Sequence, residues 1–192
     1  GLASVHTTPG ELISFIGWPK YGPTGEDQQL GYWEDYGRWI ELPLPDEIQA
    51  LGAWVRKNRP NDPGIHLSWG DARIGNMMFG DDFRLAAVLD WDQMCLANPR
   101  HDLAWWLYFD RMYTDGMGIP RPKGMGTGED TIALWQELTG LKAGDLTWYE
   151  AYLIYKLSMI SMKTFVAAGQ PPEAAAKHGK SMIDRLRANL NF

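Results

Sequence analysis

Apolar residues recur at helical spacing through most of the first sixty positions. Within residues 26–40, large apolar side chains at positions 30, 33, 36 and 40 share one helical face. Residues 45–58 repeat this pattern at positions 48, 51, 54 and 55. A shorter helix is predicted over residues 11–16, because Thr8-Pro9 is a typical helix start. Glycine and proline predict a loop over residues 17–25.

The periodicity changes after the prolines and glycine at positions 60–64, which end the helical pattern. Residues 65–69 predict a short strand. Residues 77–79 and 85–89 predict two more strands, which a polar Gly-Asp-Asp turn joins into a hairpin. A small β element therefore interrupts an otherwise helical chain.

Helical periodicity returns in the second half of the chain. Further helices are predicted over residues 102–113, 129–138, 146–168 and 173–190. Residues 114–128 contain five glycines and two prolines, which predicts a loop or flap. The predicted fold class is α+β and mostly helical. We expect a single domain over residues 1–192, in which helical residues 1–60 and 100–192 flank the β element of residues 65–92.

Length, charge and cysteine content exclude several classes of protein. A chain of 192 residues is about the size of one domain. Its net charge of -6 argues against nucleic acid or an anionic membrane as the partner. Cys95 is the single cysteine, so an intramolecular disulfide is impossible and a reducing compartment fits. No apolar run approaches the roughly 20 residues of a membrane span. No secretory signal opens the chain, and we expect a cytoplasmic protein.

Four polar residues of the β element have the chemical types and spacing that phosphoryl transfer requires. Asp71 and Asn76 are five residues apart, so one tight loop can direct both inward, and Asp90 ends a short apolar run. Asp71 can accept the proton of an acceptor hydroxyl. Asn76 and Asp90 offer the hard oxygen ligands that Mg²⁺ prefers. Arg73 either pairs with the transferred phosphate or forms a structural salt bridge.

Three linked motifs give the chain a specific resemblance. They are Trp-Gly-Asp-Ala-Arg-Ile-Gly-Asn at 69–76, Val-Leu-Asp-Trp at 88–91 and Asn-Pro-Arg-His-Asp-Leu-Ala-Trp at 98–105. In this order they resemble the C-terminal lobe of the aminoglycoside phosphotransferase-like family, a small-molecule branch of the protein-kinase-like fold. The resemblance implies Asp71 as catalytic base and Asn76 and Asp90 as ligands of Mg²⁺. It also implies ATP or GTP as co-substrate, a small-molecule hydroxyl as acceptor, and a structural role for Asp102 in holding the catalytic loop.

The chain departs from that family at two points. Trp69 stands where the family has the His of His-Gly-Asp, so we expect the loop to lose a polar contact. The family also places an N-terminal lobe before this point, and nothing before position 65 predicts its sheet. Residues 2–6 instead resemble the helix that follows the inter-lobe linker. We therefore expect a lobe whose partner, the N-terminal kinase lobe, is missing, and which has little or no kinase activity by itself.

Two other functions fit parts of the pattern. A non-catalytic kinase-like domain would bind a ligand without turnover. Trp69 and the missing lobe favour it, whereas the intact base and metal ligands disfavour it. Residues 86–92 also resemble the start of haloacid dehalogenase-like phosphatases, in which Asp90 would be the nucleophile and Asp92 the acid/base. Met94 disfavours this alternative, because that motif has Thr or Val there.

Several other side chains are expected to be structural. Asp92 is predicted to face outward, His66 to have a structural or surface role, and His101 to take no part in catalysis. Four aromatic residues share a face of the predicted helix over residues 146–168, at positions 148, 149, 152 and 155. Most should lie in the core and one or two should contact the acceptor. An aromatic wall suits a flat or apolar acceptor better than a polycationic aminoglycoside.

Overall fold

A computed structural model of the chain describes residues 1–61 and 64–187. The chain divides into two compact units, and each is built from two separate stretches of sequence. Unit 1 comprises residues 1–17 and 62–146, and unit 2 comprises residues 18–61 and 147–192. The expectation of a single domain with three sequential parts is not tested by this division and stays a prediction.

Unit 1 contains the β element and the helices next to it in sequence. Its helices and strands are α1 (Leu2–His6), β1 (His66–Ser68), β2 (Met77–Phe79), β3 (Leu85–Val88), β4 (Cys95–Ala97), α4 (Arg100–Arg111) and α5 (Gly128–Thr139). Helix α4 continues into one π-helical turn over Met112–Gly116. Helix α5 begins with a reciprocal cap, in which Thr127 and Asp130 each bond the other's backbone N–H.

Two antiparallel strand pairs position the loops of unit 1. Strands β2 and β3 form the predicted hairpin, with Met77 opposite Val88 and an irregularity after Met78. Strand β1 pairs with β4, so that Ser68 lies opposite Cys95. The hairpin prediction is confirmed. Strand β4 was not predicted, because its three residues pair only with a strand about thirty positions earlier.

The core of unit 1 lies between α4 and α5. Leu103 and Leu107 on α4 pack with Trp135 on α5 and with Ala143, and all four are buried. Four partly buried side chains surround them: Leu2, Ile132, Leu141 and Leu146. This packing holds the first two turns of α4, which provide two residues of the site described below.

Unit 2 is helical within the described residues. Its helices are α2 (Gly25–Trp39), α3 (Asp46–Lys57), α6 (Thr147–Ala167) and α7 (Pro172–Arg187). Helix α6 packs against the other three. The aromatic residues predicted for its core face are buried. Trp148 donates its indole N–H to the Val55 carbonyl at 2.9 Å, and the Tyr152 hydroxyl donates to Gln29 Oε1 at 3.0 Å. Burial raises the pKa of Tyr155 to about 12.

Two predicted helices differ from the structure. Residues 11–16 form only a 3₁₀ turn at Gly10–Leu12. Of its apolar residues, Ile13 is buried, whereas Leu12 and Phe15 are 62% and 81% exposed. A helix this short depends on packing of its apolar residues, and only one of these is buried. The predicted last helix, residues 173–190, is present to Arg187, and its final three residues lie outside the described part of the chain.

Helix α6, at 21 residues, is long enough to cross a bilayer. It nevertheless contains Glu150, Lys156 and Lys163. Across the described residues, no helix combines the length and the apolar character that a membrane span requires.

Gly52 provides a test of the packing in unit 2. A Cβ at this position of α3 would lie 2.7 Å from Cε2 of the buried Tyr155 ring. Alanine improves helix propensity by about 1 kcal/mol, but the overpacking costs about 1–3 kcal/mol. We expect Gly52→Ala to lower the free energy of unfolding by about 1 kcal/mol in chemical denaturation. The control is Gly10→Ala, whose new methyl group would meet nothing within 4 Å. Equal stability of Gly52→Ala and the wild type would contradict the packing.

Candidate functional site

The loop between β1 and β2 contains most of the predicted site residues. The chain leaves β1 at Ser68 and enters β2 through a 3₁₀ turn at Ile74–Asn76. Between them, Gly70 adopts a φ of 89°, which L side chains rarely adopt. A Cβ there would also lie only 2.1 Å from the Gln93 carbonyl oxygen. Glycine at position 70 therefore allows the loop to pass close to the segment that follows Asp90.

The buried carboxylate of Asp102 holds the start of this loop. One oxygen accepts the Ser68 hydroxyl and the Gly70 N–H, both at 2.8 Å. The other accepts the Trp69 N–H at 2.6 Å and His6 Nε2–H at 3.0 Å. All the acceptor positions of the carboxylate are thus used. Asp102 therefore holds the start of the loop between β1 and β2, which is the structural role that the resemblance implied for it.

His6 connects this carboxylate to the core of unit 1. Its Nδ1 accepts the indole N–H of Trp135 at 2.9 Å, so Nε2 bears the ring proton and donates it to Asp102. Burial alone raises the pKa of Asp102, but the hydrogen bonds from His6, Gly70 and Trp69 outweigh burial, and its pKa lies below the ordinary value. The native state therefore holds Asp102 as a carboxylate.

Asp71 lies in a dense set of hydrogen-bond donors. Its Oδ1 accepts the indole N–H of Trp105 at 2.9 Å, and its Oδ2 accepts the Asn76 amide at 2.7 Å. The Arg73 Nε–H is shared between the two oxygens at 3.1 and 3.0 Å. Burial lowers the pKa of Arg73, but the hydrogen bond and the charge of Asp71 reverse this effect and leave it raised. In this arrangement Arg73 forms a salt bridge with the predicted base.

The hydrogen bonds of Asn76 define the direction of its side-chain oxygen. Its amide nitrogen donates to Oδ2 and to the backbone carbonyl of Asp71, at 2.7 and 3.1 Å. Its Oδ1 therefore points away from Asp71, and within the described residues it makes no hydrogen bond. This oxygen has the chemistry of a ligand for a hard cation.

Asp90 lies at the end of the hairpin where Asn76 also lies. Asn76 precedes β2 and Asp90 follows β3 by two residues, and the Leu89 N–H donates to the Asn76 carbonyl at 2.8 Å. The Asp90 side chain is exposed and its φ is 60°. An amide oxygen and an exposed carboxylate fit Mg²⁺, which takes one or two protein oxygens and completes its shell with water and phosphate. The described residues contain no group of three or more His, Cys, Asp or Glu able to hold a metal ion.

The Trp69 side chain provides the loop with a polar contact. The side chain is fully buried, and its indole N–H donates to the carbonyl oxygens of Leu89 at 2.8 Å and Asp90 at 3.2 Å. The expectation that tryptophan removes a polar contact at this position was wrong. The ring nitrogen of an indole can replace an imidazole N–H as a donor, although a hydrophobicity pattern does not reveal this.

The remaining candidates are structural or exposed. Asp92 is exposed. His66 Nδ1 lies 2.9 Å from the His6 carbonyl oxygen, which is a structural contact, and Cys95 is buried in β4. Sequence reasoning missed His6, Trp105 and Trp135, which reach the site from positions 30 or more residues away from their partners. A histidine at the end of a short helix rich in apolar residues was the one signal in the sequence that could have indicated the buried hydrogen bond of His6.

An apolar cavity adjoins the loop on the side of Arg73. It has a volume of about 250 Å³ and is formed within unit 1 by α4, the π-helical turn and the glycine-rich loop. Its lining includes Ile74, Trp106, Phe109, Tyr113, Ile119 and Met125. Asp110 is the single carboxylate in this wall, and both its oxygens accept hydrogen bonds from Arg121, at 2.8 and 2.7 Å.

A mostly helical chain, in which an aspartate-containing loop leads into an antiparallel hairpin, matches the fold of kinase-like phosphotransferases. Solved structures of that class share the fold. A Ralstonia eutropha protein whose assignment as an aminoglycoside phosphotransferase is provisional matches 96% of this chain at a TM-score of 0.68 and 22% identity. A macrolide 2′-phosphotransferase from Brachybacterium faecium matches 91% of the chain at a TM-score of 0.59 and 18% identity. The chain spans 60% and 56% of these two proteins.

Residues 1–139 match the model of the phosphotransferase enzyme family, APH. The chain belongs to this family, and the predicted fold class is confirmed. Curated relatives include acyl-CoA dehydrogenase family member 11 from Pongo abelii, 27% identical over 85% of the chain, and from Mus musculus, 29% identical over 76%. The chain spans only 22% and 20% of these two proteins.

Asp102 provides a test of the loop anchor. In Asp102→Asn an amide NH₂ would face two of the four donors, so we expect a loss of about 3 kcal/mol in the free energy of unfolding at pH 7. Because the folded-state pKa of Asp102 is depressed, the carboxylate stabilises the fold above the ordinary value of 3.8 and loses that effect as the pH falls below it.

Thermal unfolding from pH 7 to pH 3 measures this dependence. The difference between the wild type and Asp102→Asn should be largest at pH 7 and should shrink below about pH 4. Asp92→Asn, a substitution of an exposed carboxylate, serves as the control and should leave the melting temperature unchanged. A difference that stays constant over the whole pH range would contradict the assignment.

Proposed function

We propose that this chain provides the base and the metal ligands of a phosphotransferase that moves the γ-phosphate of ATP or GTP to a small-molecule hydroxyl. The observation that supports it most is the environment of Asp71. Trp105, Asn76 and Arg73 fix its carboxylate with N–H donors, and the same Asn76 keeps its Oδ1 available. A base and a metal-ligand oxygen in adjoining positions are what phosphoryl transfer to an alcohol requires.

The proposed reaction transfers one phosphoryl group and one proton. The acceptor oxygen forms a bond to the γ-phosphorus while the bond from that phosphorus to the β-γ bridging oxygen breaks, and the nucleoside diphosphate leaves. The acceptor's hydroxyl proton passes to the carboxylate of Asp71. Trp105 and Asn76 orient that carboxylate, so that the acceptor meets an oxygen already directed toward it.

The proposed role of Arg73 requires it to exchange its present partner, Asp71, for the transferred phosphate. A carboxylate has about four acceptor positions, and the N–H groups of Trp105, Asn76 and Arg73 occupy those of Asp71. The acceptor hydroxyl can bond Asp71 only if one donor moves. Arg73 is the most exposed of the three, with 30% of its side chain accessible. We propose that it leaves Asp71 when the acceptor binds and pairs with the transferred phosphate.

Asn76 and Asp90 are the proposed ligands of Mg²⁺. When bound, the cation would neutralise charge on the phosphates of the nucleotide. The chain's own contribution is to present one amide oxygen and one carboxylate from adjacent ends of a rigid hairpin. A rigid pair of ligands orients the phosphates with less loss of entropy on binding than a mobile pair.

A nucleotide co-substrate is proposed because solved phosphotransferases of this fold contain bound nucleotides. Solved phosphotransferases of this fold include a GDP complex of aminoglycoside 2′-phosphotransferase-IIIa and a ternary complex of APH(4)-Ia with AMP-PNP and hygromycin B. Their TM-scores to this chain are both 0.52. The N-terminal kinase lobe implied by the resemblance stays a prediction, and we propose it as the partner that completes the nucleotide pocket.

The apolar cavity supports a particular type of acceptor. Its wall is aromatic and aliphatic, and the Arg121 guanidinium neutralises its one carboxylate. A polycation would lose its hydration there without gaining a counter-charge. We propose an acceptor whose hydroxyl is attached to an uncharged, largely apolar body, since such a molecule gains free energy by burying its surface there.

Substitution of Asp71 tests the catalytic assignment. In the full-length gene product, we expect Asp71→Asn to lower kcat by about a thousandfold, because general-base catalysis of this kind contributes 10²–10⁴. Release of nucleoside diphosphate in the presence of mixed small-molecule alcohols measures it. Asp92→Asn, with the same loss of charge on an exposed residue, should retain wild-type kcat. Unchanged activity of Asp71→Asn would refute the assignment of Asp71 as the base, whereas a wild type without turnover would favour a non-catalytic binding domain.

Ile119 tests the acceptor type. This half-exposed residue of the glycine-rich loop lines the cavity, whereas Met117 is exposed on the same loop and does not line it. We expect Ile119→Asp to raise the KM of apolar alcohols about tenfold, since burying a carboxylate beside an apolar ligand costs free energy, and Met117→Asp to leave it unchanged. Preferential phosphorylation of an aminoglycoside, improved by Ile119→Asp, would contradict the proposed acceptor.

A further inference from the structure

The conformation of Asp90 requires an explanation, because this proposed metal ligand has a left-handed backbone. Its φ of 60° is uncommon for a residue other than glycine, although aspartate tolerates it better than most. Asp90 lies two residues after the end of β3 at Val88, and its carboxylate is exposed. An extended conformation would continue the strand and redirect that side chain.

The contacts of Trp69 depend on this conformation. One indole N–H is shared by two successive carbonyl oxygens, those of Leu89 at 2.8 Å and Asp90 at 3.2 Å. In an extended chain, successive carbonyl groups point to opposite sides, so one donor cannot reach both. In a helical conformation of either hand they point to the same side, and the positive φ of Asp90 places it in the left-handed region. The shared hydrogen bond therefore excludes an extended Asp90 and accompanies its left-handed conformation.

The donor itself is held rigidly. The Trp69 side chain is fully buried, and its backbone N–H is bonded to Asp102 at 2.6 Å. The neighbouring Gly70 N–H is bonded to the same carboxylate at 2.8 Å. A fixed donor favours the one conformation of Asp90 that it can satisfy, and it costs little further entropy to do so.

We infer that Trp69 is a positioning residue: its indole N–H selects the left-handed conformation of Asp90 and thereby sets the proposed metal ligand in place. The inference rests on the proposed function, in which Asn76 and Asp90 bind Mg²⁺. It assigns a role to the side chain at which this chain departs from the family motif. Asp102 then anchors both halves of the site, the Asp71 loop through backbone N–H groups and Asp90 through the indole.

The most specific variant removes the indole N–H of Trp69 and keeps an aromatic ring system of the same shape. Replacement of Trp69 by β-(3-benzothienyl)alanine exchanges the indole N–H for sulfur at nearly constant volume. The matched control is the same replacement at Trp91, whose indole N–H donates to the Val88 carbonyl at 2.9 Å and not to Asp90. Trp69→His, which restores the residue of the family motif, and Trp69→Phe test whether a ring donor is sufficient.

The measurement uses Mn²⁺ in place of Mg²⁺, since both bind oxygen ligands. Mn²⁺ is titrated into this chain, and paramagnetic broadening of the Asn76 and Asp90 amide resonances gives the midpoint. We expect benzothienylalanine at position 69 to raise the midpoint about tenfold, as loss of one hydrogen bond predicts. The Trp91 replacement should leave it unchanged. Trp69→Phe should resemble the benzothienyl variant, and Trp69→His should recover the wild-type midpoint.

Two results would overturn the inference, and they are distinguishable. If the variants at position 69 lower the melting temperature but leave the Mn²⁺ midpoint unchanged, Trp69 only fills the core, and the proposed metal ligands stand. If Mn²⁺ does not broaden Asn76 and Asp90 even in the wild type, the metal assignment fails, and the role of Trp69 fails with it.

Discussion

One buried carboxylate holds the functional half of this molecule together. Asp102 is almost fully buried and would be costly to desolvate without partners. Its four donors come from His6 and from the three consecutive residues 68–70. The carboxylate therefore joins the amino-terminal helix and the β1–β2 loop to the first turn of α4. The next turn of the same helix presents Trp105 to Asp71, so α4 contributes to the position of the proposed base as well.

The local parts of the site could be predicted from the sequence. Asp71 and Asn76 lie in one tight loop, and the hairpin between Met77 and Val88 follows from two short apolar runs and a glycine-containing turn. Residues within about twenty positions of each other make these contacts. The predicted helix over residues 11–16 was wrong for a related reason: a typical helix start does not show whether the fold covers the apolar residues that follow it.

The contacts that depend on distant residues could not be predicted. Trp105 meets Asp71 and His6 meets Asp102 across 34 and 96 positions. From the sequence alone, a tryptophan is interpreted as a core residue, because its single N–H reduces the apolar character of the ring only a little. Three of the donors that organise this site are indoles, and each is directed by packing that only the tertiary structure defines. The fold supports many chemistries, so the proposed acceptor is inferred from the cavity wall rather than from family membership.

The anchor also explains which positions can change. At positions 69 and 70, Asp102 binds backbone N–H groups, which every residue except proline supplies. The side chain at position 69 can therefore change without removing either of these two backbone hydrogen bonds. At His6 and Ser68 the donor is the side chain itself, and few residue types can replace it. Because Asp102 binds the backbone of residue 69, this is the loop position at which tryptophan can replace histidine while the hydrogen bond that holds the loop is kept.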